Sequence, residues 1–224
     1  YPTVPYWDNE NFNTVQWKGR LVEAYRQYKE EGISLYIHLP FCESLCTYCG
    51  CNTRITKNHG VELPYIDALL KEWEMYVALL GERPKIKEIH LGGGTPTFFS
   101  AANLKALLEI IAGGAQFEED AACSFEGHPD NTTIEHLQTL RDLGFKRLSL
   151  GIQDFDPKVQ FMINRYQTPA QVQKITKLSR ELGYQSINFD LIYGLPGQNI
   201  KGLTETIEET IAIKPDRIAF YSYA

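Results

Sequence analysis

The chain has 224 residues, 43% of them hydrophobic and 22% charged, with 22 Lys and Arg against 28 Asp and Glu for a net charge of -6. This composition supports one substantial globular core and excludes disordered and fibrous classes. The acidic balance, with no basic run to track phosphates, argues against nucleic acid as a partner, and no apolar stretch reaches the roughly 18 residues of a membrane span. No charged-then-apolar leader opens the chain; it starts at Tyr1 rather than Met, so its native start is expected further upstream.

An arm rich in Tyr, Asn and Pro leads into a first helix, Trp17 through Tyr28, expected to close one end of the domain. Residues 1–33 are read as arm and helix, and 34–224 as a single core domain, since no linker divides the chain. Strand and helix then alternate, which argues for parallel βα units. Six strands are predicted near Leu35 to Leu39, Ile86 to Leu91, Ala122 to Glu126, Arg147 to Ile152, Ile187 to Ile192 and Arg217 to Tyr223. Between them, Ile66, Leu69, Leu70, Trp73, Tyr76, Val77 and Leu80 form one apolar helix face. Thr132 and Glu135 read as a capping box ahead of Ile134, Leu137 and Leu140, with Gly144 at the stop. Thr168-Pro169 opens the next helix, whose stripe Val172, Ile175 and Leu178 ends at Gly183. The last helix runs through Leu203, Ile207 and Ile211 and stops before Pro215.

A βα repeat without a Rossmann glycine pattern can build a doubly wound sheet or a barrel. Ser124 and Glu126, Ser149, Gly151 and Gln153, and Asn188 and Asp190 place polar residues on one alternating strand face. A closed eight-stranded core would be mostly Val, Ile and Leu, so the fold class expected is an incomplete (β/α)6 barrel, TIM-like, whose open interior holds a polar ligand.

Cys42, Cys46 and Cys49 follow the first strand at C-x3-C-x2-C spacing, with Cys51 two residues on. Three thiolates in one loop suit an iron–sulfur cluster with one iron left open, since simple carriers use four cysteines. Zinc, with Cys51 as fourth ligand, remains an alternative at this level, although structural zinc sites usually pair two separate elements. Tyr48 suits a packed cluster loop or a plain loop anchor. Cysteines concentrated in this way fit a reducing compartment, so a cytoplasmic location is expected; Cys123, inside a strand, reads as a buried inert thiol. Gly92-Gly93-Gly94-Thr95-Pro96-Thr97 follows the second strand, where consecutive glycines let backbone groups approach a ligand closely. Cysteine and glycine loops share the C-terminal strand ends, the active face of parallel α/β folds.

With these motifs together, the chain resembles the radical S-adenosylmethionine (SAM) enzymes, and within them it is most similar to the oxygen-independent coproporphyrinogen III oxidase family, also called coproporphyrinogen dehydrogenases. The matching stretches are Leu35 to Cys42, Tyr48 to Cys51, Gly92 to Thr97, Gly151 to Phe155, Asn164-Arg165 and Asp190 to Pro196, together with Tyr1-Pro2-Thr3 and Tyr221 to Ala224. They span nearly all of the chain, which stops near the middle of a usual member and is therefore expected to be a catalytic-core fragment lacking a C-terminal substrate-covering domain.

The resemblance implies a radical SAM fold and a [4Fe-4S] cluster on Cys42, Cys46 and Cys49. It further implies one SAM contacted by Tyr36, Gly93 and Glu126, and a second contacted by Tyr48, Gly94, Thr95, Gln153, Arg165, Asp190 and Ala224. Tyr36 and His38 would take catalytic roles, His38 in proton or electron movement. The implied reaction is anaerobic decarboxylation of two propionates of coproporphyrinogen III through a 5′-deoxyadenosyl radical, giving the two vinyls of protoporphyrinogen IX in haem biosynthesis. A reduced flavodoxin or ferredoxin-like protein would donate electrons to a monomer. Competing readings are a haem-trafficking chaperone or a porphyrin-cleaving radical enzyme on the same core; Cys51 and Asn164-Arg165 favour the dehydrogenase. Gly127-His128-Pro129 departs from the aliphatic or small residue and Asp or Asn expected before the proline. A ligand with four carboxylates needs a basic region, of which only Arg165 and Arg54 are legible.

Overall fold

The computed structural model describes residues 12 to 223. In chain order the elements are α1 (Thr14–Tyr28), β1 (Ile33–Leu39), β2 (Phe41–Cys42), β3 (Arg54–Ile55), α2 (Glu62–Leu80), β4 (Lys85–Gly93), α3 (Ala101–Gly113) and β5 (Gln116–Gly127). They continue as α4 (Ile134–Asp142), β6 (Arg147–Gln153), α5 (Pro157–Met162), α6 (Pro169–Glu181), β7 (Ser186–Tyr193), α7 (Ile200–Ile213) and β8 (Arg217–Ser222). All six predicted strands form one parallel sheet in the order β1-β4-β5-β6-β7-β8. Spatial order follows chain order, so every crossover adds its strand on the same side. A doubly wound sheet would instead reverse direction at a switch point. With β1 and β8 as edges, this is the expected incomplete (β/α)6 barrel.

The strands divide their side chains by period two. Ile37, Leu39, Leu91, Phe125, Leu148, Leu150, Ile187 and Phe189 point to the helices and are buried. The opposite face is polar and concave. α2 buries Ile66 and Trp73, with Leu69, Leu70, Tyr76 and Val77 packed at the margin of the same core. α1 is mostly exposed and packs along α2, Trp17 meeting Tyr76 edge-on at 5.8 Å. Among the described residues no helix is long and apolar enough to cross a membrane.

One helix expectation needs correction, and the last helix, which runs as expected, buries an unexpected face. The cap of α4 is Thr133, boxed with His136, while the Thr132 hydroxyl donates to the His128 carbonyl at 2.8 Å; either threonine could cap, and this bond takes the first. In α7 the buried residues are Gly202, Thr206 and Thr210, while Ile211 is exposed. The threonines bury because their hydroxyls are satisfied: Thr206 donates to Asp154 at 2.9 Å and accepts the Phe155 N–H at 3.1 Å, and Thr210 donates to the Thr206 carbonyl.

Glu62, 2% exposed at the start of α2, ties three segments together. Its carboxylate accepts from the Ser100 N–H at 2.9 Å and the Asn103 side-chain amide at 2.7 Å, and meets His59 Nδ1 at 2.8 Å. His59 lies 3.4 Å from Glu43 in the cysteine loop, and the Glu62 bond raises its pKa. Glu62→Ala orphans the Ser100 and Asn103 donors, so chemical denaturation should show a loss of about 3 kcal/mol; a loss below about 1 kcal/mol, the range of an ordinary surface change, would contradict this role.

Candidate radical and cofactor site

Cys42 ends the short strand β2, which pairs with β3 just beyond the cysteine loop. Pro40 and Cys42 carbonyls accept from the Arg54 and Thr56 N–H groups at 2.8 and 2.9 Å, bringing the ends of the loop together. The far side is held from the segment after α5. The Thr47 N–H donates to the Ile163 carbonyl at 3.0 Å, and the Asn164 amide to the Leu45 carbonyl at 2.8 Å. Neither device was visible in the sequence, because a two-residue strand carries no periodicity.

Cys42, Cys46, Cys49 and Cys51 are free thiols lining one cavity of about 350 Å3 at the C-terminal strand ends. Gly93, Gly94, Thr95, Glu126, Gln153, Arg165 and Asp190 line it too. Arg165 is nearly buried. Its guanidinium donates to the Gly151 carbonyl and reaches the Cys46 Sγ at 3.7 Å, while Nε has no partner. Tyr48 packs beside Val159, Ile163, Ile192 and Leu195, and burial pushes its hydroxyl pKa well up.

The glycine loop serves the cysteine loop more directly than expected. Gly94 and Thr95 N–H groups donate to the Leu39 and Phe41 carbonyls at 2.9 and 3.0 Å, so these two amides are taken. A Cβ on Gly94 would lie 2.6 Å from the Pro40 carbonyl oxygen. Thr95 Oγ1 sits 3.3 Å from the Cys42 Sγ. At Gly93, φ is +119°, and a Cβ would strike the His38 ring at 2.8 Å.

Tyr36 and His38 flank this cavity without lining it. Tyr36 stacks on His90 at 5.9 Å, and its hydroxyl is 3.0 Å from His38 Nδ1. His38 Nε2 is 2.8 Å from the Asn52 carbonyl, which can only accept. Nε2 therefore carries the hydrogen, and in the neutral ring Nδ1 accepts from Tyr36. Sequence reasoning missed His90, which contacts Ser124 at 2.8 Å and Glu126 at 3.3 Å; its alternation with Glu88 and Gly92 was the available signal. Asp190 accepts from Ser149 at 2.8 Å and Asn188 at 2.9 Å, and burial raises its pKa against those bonds. Gln153 departs from simple alternation: the β6–β7 register slips there and its φ is +67°, though the side chain still lies over Gly151. Next to it, fully buried Asp154 binds Thr206 and Gln198, tying the end of β6 to α7 and the turn before it. Ala224 lies outside the described residues.

His128 fills a gap left by the sequence. Its Nδ1 accepts from the Asp130 N–H at 3.1 Å, and burial, aided by the Arg165 charge, lowers its pKa from 6.5 to about 3. Between these values the unfolded chain binds a proton that the folded chain does not. Stability is therefore intact above the ordinary His range and falls as pH drops through it, by up to about 1.4 kcal/mol per unit. Urea unfolding from pH 7 to 5 should show a shallower decline in His128→Asn than in wild type; parallel declines would contradict the assignment.

Donor set and space fit an iron–sulfur cluster better than an ion. Among the described residues no three His, Cys, Asp or Glu side chains converge on a single-ion site, whereas zinc needs four donors within about 2.3 Å. The cysteines instead ring a cavity with a buried, unpartnered Arg165 nitrogen beside it.

The sequence matches the radical SAM superfamily over residues 36–210. It is 41% identical to the oxygen-independent coproporphyrinogen III oxidase of Helicobacter pylori strain 26695, over 100% of this chain and 49% of that protein. For the Pseudomonas aeruginosa enzyme of that name the identity is 40%, over 91% of this chain and 45% of the other. The solved structure of coproporphyrinogen III oxidase (HemN) from Escherichia coli superposes with a TM-score of 0.92 at 36% identity, covering 100% of this chain and 50% of that one. The methyltransferase TsrM from Kitasatospora setae, at 15% identity and TM-score 0.59 over 88% of this chain and 38% of its own, shares the fold alone. The chain spans about half the length of the curated relatives it matches. Cys42, Cys46 and Cys49 at C-x3-C-x2-C spacing on one open cavity at the rim of a six-stranded parallel barrel, and a family match running from β1 into α7, lead to one assignment: the chain belongs to the radical SAM superfamily.

Proposed function

We propose that the protein is an oxygen-independent coproporphyrinogen III oxidase, converting two propionates of coproporphyrinogen III to vinyls in anaerobic haem biosynthesis. The observation that carries this reading is the docking of Asn164-Arg165 on the cysteine loop, where Asn164 holds Leu45 and Arg165 reaches Cys46. The names of the relatives, whose similarity runs the length of the chain, support it. Cys42, Cys46 and Cys49 would hold a [4Fe-4S] cluster. When bound, the cluster and SAM would supply the one-electron chemistry that makes a carbon radical able to remove a propionate β-hydrogen; loss of CO2, with the remaining electron passed to an external one-electron acceptor, would leave the vinyl group.

The chain's own residues bind and orient. Tyr36, Gly93 and Glu126 would take the SAM on the cluster, with His38 fixing the Tyr36 hydroxyl through Nδ1. Tyr48, Gly94, Thr95, Gln153, Arg165, Asp190 and Ala224 would take a second SAM. Asp190 is held by Ser149 and Asn188, and the unpartnered Arg165 Nε is a donor suited to a carboxylate. A flavodoxin or ferredoxin-like protein in the cytoplasm donates the electron, and the enzyme works as a monomer.

Full-length protein, reconstituted anaerobically with iron and sulfide and given SAM, reductant and coproporphyrinogen III, should yield protoporphyrinogen IX together with 5′-deoxyadenosine. Formation of 5′-deoxyadenosine without porphyrin product would overturn the substrate assignment and favour a haem-handling role.

A further inference from the structure

The concave face of the sheet carries two arginines, set among three carboxylates, that the sequence did not bring together. Arg147 begins β6 and Arg217 begins β8. Both line a second cavity, about 450 Å3, toward the N-terminal ends of the strands. It shares Glu126 and Asp190 with the cysteine-lined cavity, so the two compartments adjoin.

Neither guanidinium takes part in any ion pair among the described residues. Arg83, Arg165 and Arg180, by contrast, each donate to a backbone carbonyl. The carboxylates around this cavity already have partners of their own: Glu88 takes the Ser34 hydroxyl, Glu126 meets His90, and Asp190 takes Ser149 and Asn188. Two arginines are left for a ligand from outside.

Their placement sets what that ligand looks like. Arg147 pairs in register with Ser186, and Arg217 with Asn188, two residues further along β7. With β7 between them, their backbones stand about 10 Å apart across the sheet and about 7 Å along it. That separation suits two carboxylates on one broad molecule rather than a single carboxylate held in one fork.

We propose that Arg147 and Arg217 bind the two propionates of coproporphyrinogen III that survive the reaction, leaving a reacting propionate to face the cysteine cavity. This rests on the coproporphyrinogen reading above. Two of the four carboxylates are consumed and two remain, and the arginines match the remaining pair in number and sign.

The test is equilibrium binding of coproporphyrin III, the oxidised tetracarboxylate that is not turned over, to the full-length protein, followed by the porphyrin absorbance. Arg147→Gln and Arg217→Gln should each weaken binding about tenfold or more, in line with loss of a charge-assisted bond, and Lys at either position should recover most of it. Cluster absorbance and melting temperature serve as the check on folding. Should Arg147→Gln not fold, Arg217→Gln on the exposed edge strand decides alone. Wild-type affinity in the glutamine variants would overturn the arginine receptor and leave the porphyrinogen reading standing. Wild-type protein that neither binds coproporphyrin III nor converts the porphyrinogen would overturn that reading and the receptor with it.

Discussion

Cys46→Ala is expected to abolish the cluster absorbance near ~400 nm, typical of thiolate-bound iron–sulfur centres, while Cys51→Ser keeps most of it. All four thiols line the same cavity, so position alone does not separate them. Their support does. Cys42 is fixed by the β2–β3 pair and faces Thr95, and Cys46 sits under Arg165. Cys49 is tied into a turn by its N–H to the Cys46 carbonyl at 3.1 Å. Cys51 is exposed, its thiol set only against that of Cys49. Pre-set donors hold a metal group at less entropic cost than a mobile one. Equal loss from both variants would contradict the three-ligand assignment.

Gly94→Ala should destabilise the protein by about 3 kcal/mol and strip it of cluster. The new Cβ would lie 2.6 Å from the Pro40 oxygen, 2.7 Å from the Pro40 carbonyl carbon and 2.9 Å from the Phe41 oxygen. All three are backbone atoms flanked by the strands that hold the cysteine loop, so they cannot swing aside as a side chain would. Relief of the clash separates the two loops and breaks the bonds from Gly94 to Leu39 and Thr95 to Phe41, each worth about 1 kcal/mol, in addition to overpacking strain of about 1–3 kcal/mol. Gly113→Ala is the control: nothing lies within 4 Å of its Cβ position, and alanine favours the helix by up to about 1 kcal/mol. Similar stabilities for the two variants would show that the loops are not stitched together as described.

The strands and their barrel-like order were legible because a parallel βα repeat writes itself in apolar runs, and because polar residues at Ser124, Ser149, Asn188 and Asp190 marked the inner face. The cysteine spacing was legible for a chemical reason, as few objects need three thiolates in one turn of loop. What escaped depended on contacts distant in sequence. Thr133 replaced Thr132 as a cap because the His128 carbonyl claims the Thr132 hydroxyl. The buried face of α7 holds Thr206 and Thr210 because Asp154, about 50 residues earlier, supplies a partner. Arg147 and Arg217 entered only as the first residues of two predicted strands, and it is the register that brings both onto the concave face. Gln153 sits in a bulge that no period-two pattern announces.

The most direct measurement follows the hydrogen. Full-length protein is given coproporphyrinogen III deuterated at the propionate β-carbons, with SAM and reductant, and the 5′-deoxyadenosine is analysed by mass spectrometry. Deuterium in 5′-deoxyadenosine, in proportion to vinyl formed, is the predicted result. Vinyl products accompanied by unlabelled 5′-deoxyadenosine would contradict hydrogen removal by a SAM-derived radical and, with it, the role assigned to the cysteine-lined site.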